Sequence, residues 1–168
     1  IQQKGGLKAV IGSFGAHATT IGADNMQFSA DYPGYWQRKM EQGSVDLAIF
    51  CGGSVGSQSP SGEGKGFEKP KKIGESLADS LEIHLAKVEL KDKIDMSAIS
   101  LKIDLPDYNI RLTTKLHFST WLSKKLMPLP ENVYLQVIKI GNLIWLTTPC
   151  DFSGEFARQL KDALATKG

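Results

Sequence analysis

Leu7-Lys8-Ala9-Val10-Ile11-Gly12-Ser13-Phe14-Gly15 is a short apolar, β-branched run closed by glycine, and Val45-Asp46-Leu47-Ala48-Ile49-Phe50-Cys51 is a second, closed by Gly52-Gly53. Runs of this length, bounded by turn residues, predict buried strands that feed loops. Between them, Tyr32 to Gln42 predicts a helix, with Pro33 tolerated in its first turn and Gly43 just past its end. Strand, helix and strand in that order predict an α/β fold, a mixed β-sheet covered by helices.

Outward from this unit, residues 54–66 are rich in glycine and serine without a hydrophobic period and predict a long loop. Ile73, Leu77, Leu81 and Leu85 recur every fourth residue, predicting a helix with that stripe on a core and Lys71, Lys72, Glu75, Asp79 and Glu82 toward water. Val88 to Leu105 alternates most clearly at Ile99, Leu101, Ile103 and Leu105, the pattern of a strand with one covered face. Residues 116–126 are ambiguous, a short helix being one option before Pro128 and Pro130. Gly141-Asn142 separates two β-rich runs, 133–140 and 143–148, and predicts a hairpin. A final amphipathic helix carries Phe152, Phe156, Leu160 and Leu164. No repeat or linker divides residues 1–168, which read as a single domain or a fragment of one.

The 168 residues are 41% apolar and 23% charged, the balance of an ordinary globular sequence. Lysine plus arginine (20) against aspartate plus glutamate (18) leaves +2, which argues against a nucleic-acid footprint. No apolar run is long enough for a spanning helix. Two cysteines, Cys51 and Cys150, exclude a four-cysteine zinc site and read as buried thiols. Ile1-Gln2-Gln3-Lys4 has neither an initiator methionine nor signal-peptide character, and a processed or excised chain is expected.

Three segments leave a strand for a loop or helix: Gly15 to Thr20, Gly52 to Pro60, and Pro149-Cys150-Asp151. Strand ends are where α/β folds gather reactive side chains. His17 has room among small residues to reach a metal or a proton, although a structural histidine is the plainer reading. Ser59, before Pro60, lies in no Gly-x-Ser-x-Gly elbow, and turn chemistry suffices for it. Asp151 suits a helix N-terminus as well as a metal. Asp31 reads as the residue that orients the turn into the helix at Tyr32, a catalytic role being the lesser alternative. His84 and His117 belong to no zinc-helix spacing, and Gly62-Glu63-Gly64-Lys65-Gly66 lacks both the preceding strand and the Gly-Lys-Ser/Thr of a phosphate loop.

Taken together, His17-Ala18-Thr19-Thr20, Ser29-Ala30-Asp31-Tyr32-Pro33-Gly34-Tyr35 and Phe50-Cys51-Gly52-Gly53-Ser54-Val55-Gly56-Ser57-Gln58-Ser59-Pro60 occur in this order, followed by a hairpin ending in Pro149-Cys150-Asp151-Phe152. This combination resembles the catalytic region of the neutral/alkaline ceramidase family. The resemblance covers most of the chain, is strongest over residues 15–60 and is diffuse from Lys87 to Met127.

The resemblance implies a zinc amidase that cleaves the N-acyl bond of ceramide-like lipids, and hence an N-acylated lipid partner, peripheral membrane contact, and a secreted, periplasmic or membrane-surface location. His17 matches a zinc-ligating histidine. Ser59 matches the serine of a Gly-Asp-Val-Ser-Pro-Asn-type loop, which acts on the scissile amide as attacking group or as donor to the oxyanion. Asp151 falls where the family has a glutamate ligand. Ser57 stands in place of aspartate and Ser61 in place of asparagine. An upstream histidine ligand and a downstream tyrosine ligand have no match, so the expectation is a chain missing flanking segments of its parent, inactive alone and weak in binding Zn2+. Two other readings stand beside this one: a metal-dependent hydrolase of a different amide or ester, and a non-catalytic binding or structural module of the same fold.

Overall fold

The structure, a computed structural model, describes residues 1–165. It is a mixed α/β fold with a two-stranded parallel sheet, a three-stranded antiparallel sheet and four helices. The chain groups into two compact units, one formed by Ile1–Asp92 with the segment from Cys150 onward, the other by Lys93–Pro149.

In the first unit, β1 (Ala9–Phe14) and β2 (Leu47–Gly52) pair in parallel, joined by α1 (Asp31–Gly43). Parallel pairing requires such a crossover, and the register from Ala9↔Leu47 to Phe14↔Gly52 places the two strand exits side by side. Trp36 and Met40 of α1 are buried with Val10, Ala48 and Ala78, while Ile11, Leu47 and Ile49 on the alternate positions are exposed. The strands are thus half-buried, one face against α1, and not buried throughout as their apolar runs suggest; strand alternation sends successive side chains to opposite faces.

α2 (Glu68–Leu85) packs on α1. The fully buried residues of α2 are Pro70, Gly74 and Ala78, whereas Leu77, Leu81 and Leu85 pack half-buried beside the core. The contact line therefore runs one row away from the leucine stripe, because small side chains let the backbones approach. At Gly74 a Cβ would lie 2.5 Å from the Tyr32 carbonyl oxygen. Lys39 of α1 and Asp79 of α2 form an ion pair across the same crossing. α4 (Gly154–Ala165) forms where its amphipathic pattern predicts, but it buries none of its residues, and Phe152 precedes the helix.

In the second unit, β3 (Met96–Asp104), β4 (Asn132–Ile140) and β5 (Leu143–Thr147) form an antiparallel meander. Gly141 adopts φ +58° in the β4–β5 turn, a conformation that favours glycine. The face of β3 expected to be covered is open: Ile99 and Leu101 are exposed, and only Ile103 is half-buried. Alternation reports which residues share a face, and coverage depends on what packs there. α3 (Thr120–Leu126) settles the ambiguous segment as a helix, with the Ser119 hydroxyl accepting from the Leu122 amide at its start. No helix among the described residues is long and apolar enough to cross a membrane.

Candidate functional site

Parallel pairing fixes the floor of the site. Beyond the Phe14↔Gly52 pair, the Gly53 amide donates to the Phe14 carbonyl (3.0 Å), and Gly53 lies so close to Gly15 that an added Cβ would stand 3.1 Å from the Gly15 Cα. The two loops therefore leave the sheet in contact. The His17 amide then donates to the Gln58 carbonyl (3.0 Å), which ties the middle of one loop to the other.

The segment after Cys150 joins them. The Gly56 amide donates to the Phe152 carbonyl (3.0 Å), and a Cβ at Gly56 would lie 2.1 Å from the Asp151 carbonyl oxygen, so only glycine admits this approach. The Ser57 hydroxyl accepts from the Gly154 amide and the Ser153 hydroxyl, each at 3.1 Å, and so holds the N-terminal end of α4. As a result His17 and Asp151, remote in sequence, face each other with Nε2 3.5 Å from Oδ2. Both side chains keep solvent access, 40% for the imidazole and 69% for the carboxylate. Ser59 is exposed one residue beyond the Gln58 carbonyl that holds the His17 amide.

A second layer holds the His17 loop from behind. Asp31 is buried, with φ +53°, and its carboxylate accepts four hydrogen bonds. Oδ2 takes the amides of Thr20 (2.8 Å) and Ile21 (3.3 Å); Oδ1 takes the Thr20 hydroxyl (2.7 Å) and the Tyr32 amide (2.6 Å). The neighbouring Tyr32, fully buried, donates its hydroxyl to the Ala16 carbonyl and packs edge-to-face against Phe14 and Phe50 at 6.0 and 5.6 Å. Burial, reinforced by the adjacent Asp31 charge, pushes the Tyr32 phenol above its ordinary pKa.

The His17–Asp151 pair has the spacing of a chelating couple. Two donors at zinc distances of ~2.05 Å on a tetrahedral ion stand ~3.3 Å apart. An imidazole nitrogen and a carboxylate oxygen are both common zinc donors, so the two residues fit part of a zinc set. They do not complete it, since among the described residues no group of three or more His, Cys, Asp or Glu side chains is placed to hold a metal.

The remaining candidates fall elsewhere. His84 Nδ1 lies 2.8 Å from the Ser80 carbonyl on the exposed side of α2. His117 contacts the Phe118 carbonyl at 3.1 Å. Gly62 to Gly66 forms the turn before α2 rather than following a strand. Cys51 is half-buried and Cys150 exposed, so neither is the buried thiol that the sequence suggests. The roles of Ser57 and Tyr32 escape sequence reasoning, because a serine in a serine-rich loop and an aromatic on an amphipathic helix carry no distinguishing signal. No protein-family model and no curated protein matches the chain.

Proposed function

We propose that the chain carries the His17–Asp151 edge of a zinc-dependent hydrolase site that cleaves the N-acyl amide of ceramide-like lipids. The observation that carries this reading is the 3.5 Å approach of His17 Nε2 to Asp151 Oδ2 at the exits of two parallel strands. The substrate class comes from the resemblance of residues 15–60 to the neutral/alkaline ceramidases.

In this reading His17 and Asp151 hold the metal, which when bound supplies Lewis acidity toward the acyl carbonyl. Hydrolysis breaks the acyl C–N bond, with the hydroxyl of water ending on the acyl carbon and a proton on the leaving amine. Ser59, exposed beside the Gln58 carbonyl, contributes its hydroxyl either as the attacking group or as a donor to the developing oxyanion. Two protein ligands are fewer than a catalytic zinc takes, so zinc binding by these residues alone is weak.

The test is His17→Ala in the full-length protein. Zinc content by elemental analysis and fatty-acid release from a short-chain N-acylsphingosine should both disappear. Full retention of either removes His17 from the site. Release from a simple N-acyl amide but not from the sphingoid substrate would favour a hydrolase of another amide or ester.

A further inference from the structure

We propose that Asp31 is a positioning residue: with Tyr32 it clamps both ends of the 16–20 segment and thereby sets the direction of the His17 imidazole. Its consequence for turnover rests on the hydrolase reading above, whereas the clamp itself is a property of this chain. The Tyr32 hydroxyl holds the Ala16 carbonyl on one side of His17, and the Asp31 carboxylate holds the Thr20 amide and hydroxyl on the other. Between these points the His17 amide is tied to Gln58, and the Thr19 amide donates to the His17 carbonyl at 2.9 Å. The backbone is fixed at its ends and its middle, while the imidazole remains half-exposed and aimed at Asp151.

Two features separate this arrangement from an ordinary helix start. A capping side chain accepts from the second or third amide of the first turn, yet three of the four bonds to Asp31 come from the loop at Thr20 and Ile21. Asp31 also occupies the left-handed region, which L residues other than asparagine and aspartate rarely enter. Strained conformations of this kind persist where the surroundings over-determine them. Each carboxylate oxygen accepts two bonds, so the site needs an acceptor on both atoms. An amide offers an acceptor on only one.

Asp31→Asn is therefore the decisive variant, equal in shape and tolerant of the left-handed backbone, but turning an NH2 group toward two donors. In the labelled chain we expect amide exchange at Thr20 and Ile21 to quicken by about tenfold or more. In long-range proton–nitrogen spectra the His17 ring signals should move to those of a free imidazole, while the His84 and His117 rings, remote from the clamp, stay in place. Unchanged His17 ring signals in a folded Asp31→Asn chain overturn the proposal. Should that variant fail to fold, Thr20→Val removes the hydroxyl bond alone and should move the His17 ring in the same direction; no movement there overturns the proposal equally. Acyl release by the full-length protein tests the other reading separately: with turnover present there, Asp31→Asn should lower kcat with little change in KM, and a full-length wild type without turnover sinks the hydrolase reading while the ring spectra still decide the clamp.

Discussion

Gly74 of α2 lies against the backbone of α1 so tightly that a Cβ there would stand 2.5 Å from the Tyr32 carbonyl oxygen and 2.7 Å from the Tyr35 Cβ. Tyr32 is the residue whose hydroxyl anchors the loop of His17 through Ala16. The helix crossing and the candidate site therefore share one residue.

Gly74→Ala should push the helices apart. The clash is with backbone and with a Cβ, neither of which can rotate away, so overpacking is expected to cost about 1–3 kcal/mol. Urea unfolding reads this as a lower midpoint at unchanged slope. A midpoint equal to wild type would show that the crossing is looser than these distances state.

Asp151→Asn keeps the shape of the side chain and removes its charge. Zinc affinity should fall by about tenfold or more, because a neutral amide is a much poorer ligand for a divalent cation. Stability should stay within about 0.5 kcal/mol of wild type, since the carboxylate is mostly exposed and its pairing with His17 is screened. Isothermal titration with zinc and thermal unfolding of the metal-free chain separate the two effects. Undiminished zinc binding would remove Asp151 from the metal site.

Ser59→Ala in the full-length protein addresses the hydroxyl. The side chain is exposed. Removing one oxyanion donor lowers kcat by about 100-fold or more, and loss of a nucleophile lowers it further. Zinc content should remain near wild type. Parallel loss of metal would mean that Ser59 supports the loop instead.

The Tyr32 phenol gives a pH signature. Its pKa is raised in the folded chain above the ordinary value of 10.0, so the folded state holds the proton where the unfolded state releases it. The corresponding stability is fully present below that ordinary value and is lost as pH rises through the folded pKa. Denaturant midpoints followed upward from neutral pH should fall more steeply beyond about pH 10 for wild type than for Tyr32→Phe, which has no titrating hydroxyl. At neutral pH the phenylalanine variant should be the less stable of the two, having lost the bond to Ala16. Parallel pH curves would show that the hydroxyl is open to solvent.

Much of the secondary structure is legible in the residues. The apolar runs ending in Gly15 and Gly52-Gly53, the helix between them, the leucine-spaced α2 and the Gly141-Asn142 hairpin all declare themselves, because each rests on local backbone preference or on a short hydrophobic period. Burial is less legible. The stripe on α2 names its leucines, yet the buried line runs through Pro70, Gly74 and Ala78, since the approach of a neighbouring helix favours small residues over apolar ones. Ile99 and Leu101 alternate as a covered face would and stand exposed.

The α/β character of the chain, the order of its elements and the residue types available for chemistry can be read from the residues alone, for these follow from near neighbours along the polymer. It took the folded chain to show that His17 meets Asp151, that Ser57 secures the start of α4, and that the Asp31 carboxylate accepts three of its four bonds from the Thr20–Ile21 loop and one from its own helix. Such pairings join residues whose separation along the chain carries no periodic signal. Two parallel strands end at the same level, the loops leaving them bond to one another through the His17 amide and the Gln58 carbonyl, and the segment after Cys150 closes on them through the Gly56 amide, which brings these side chains together.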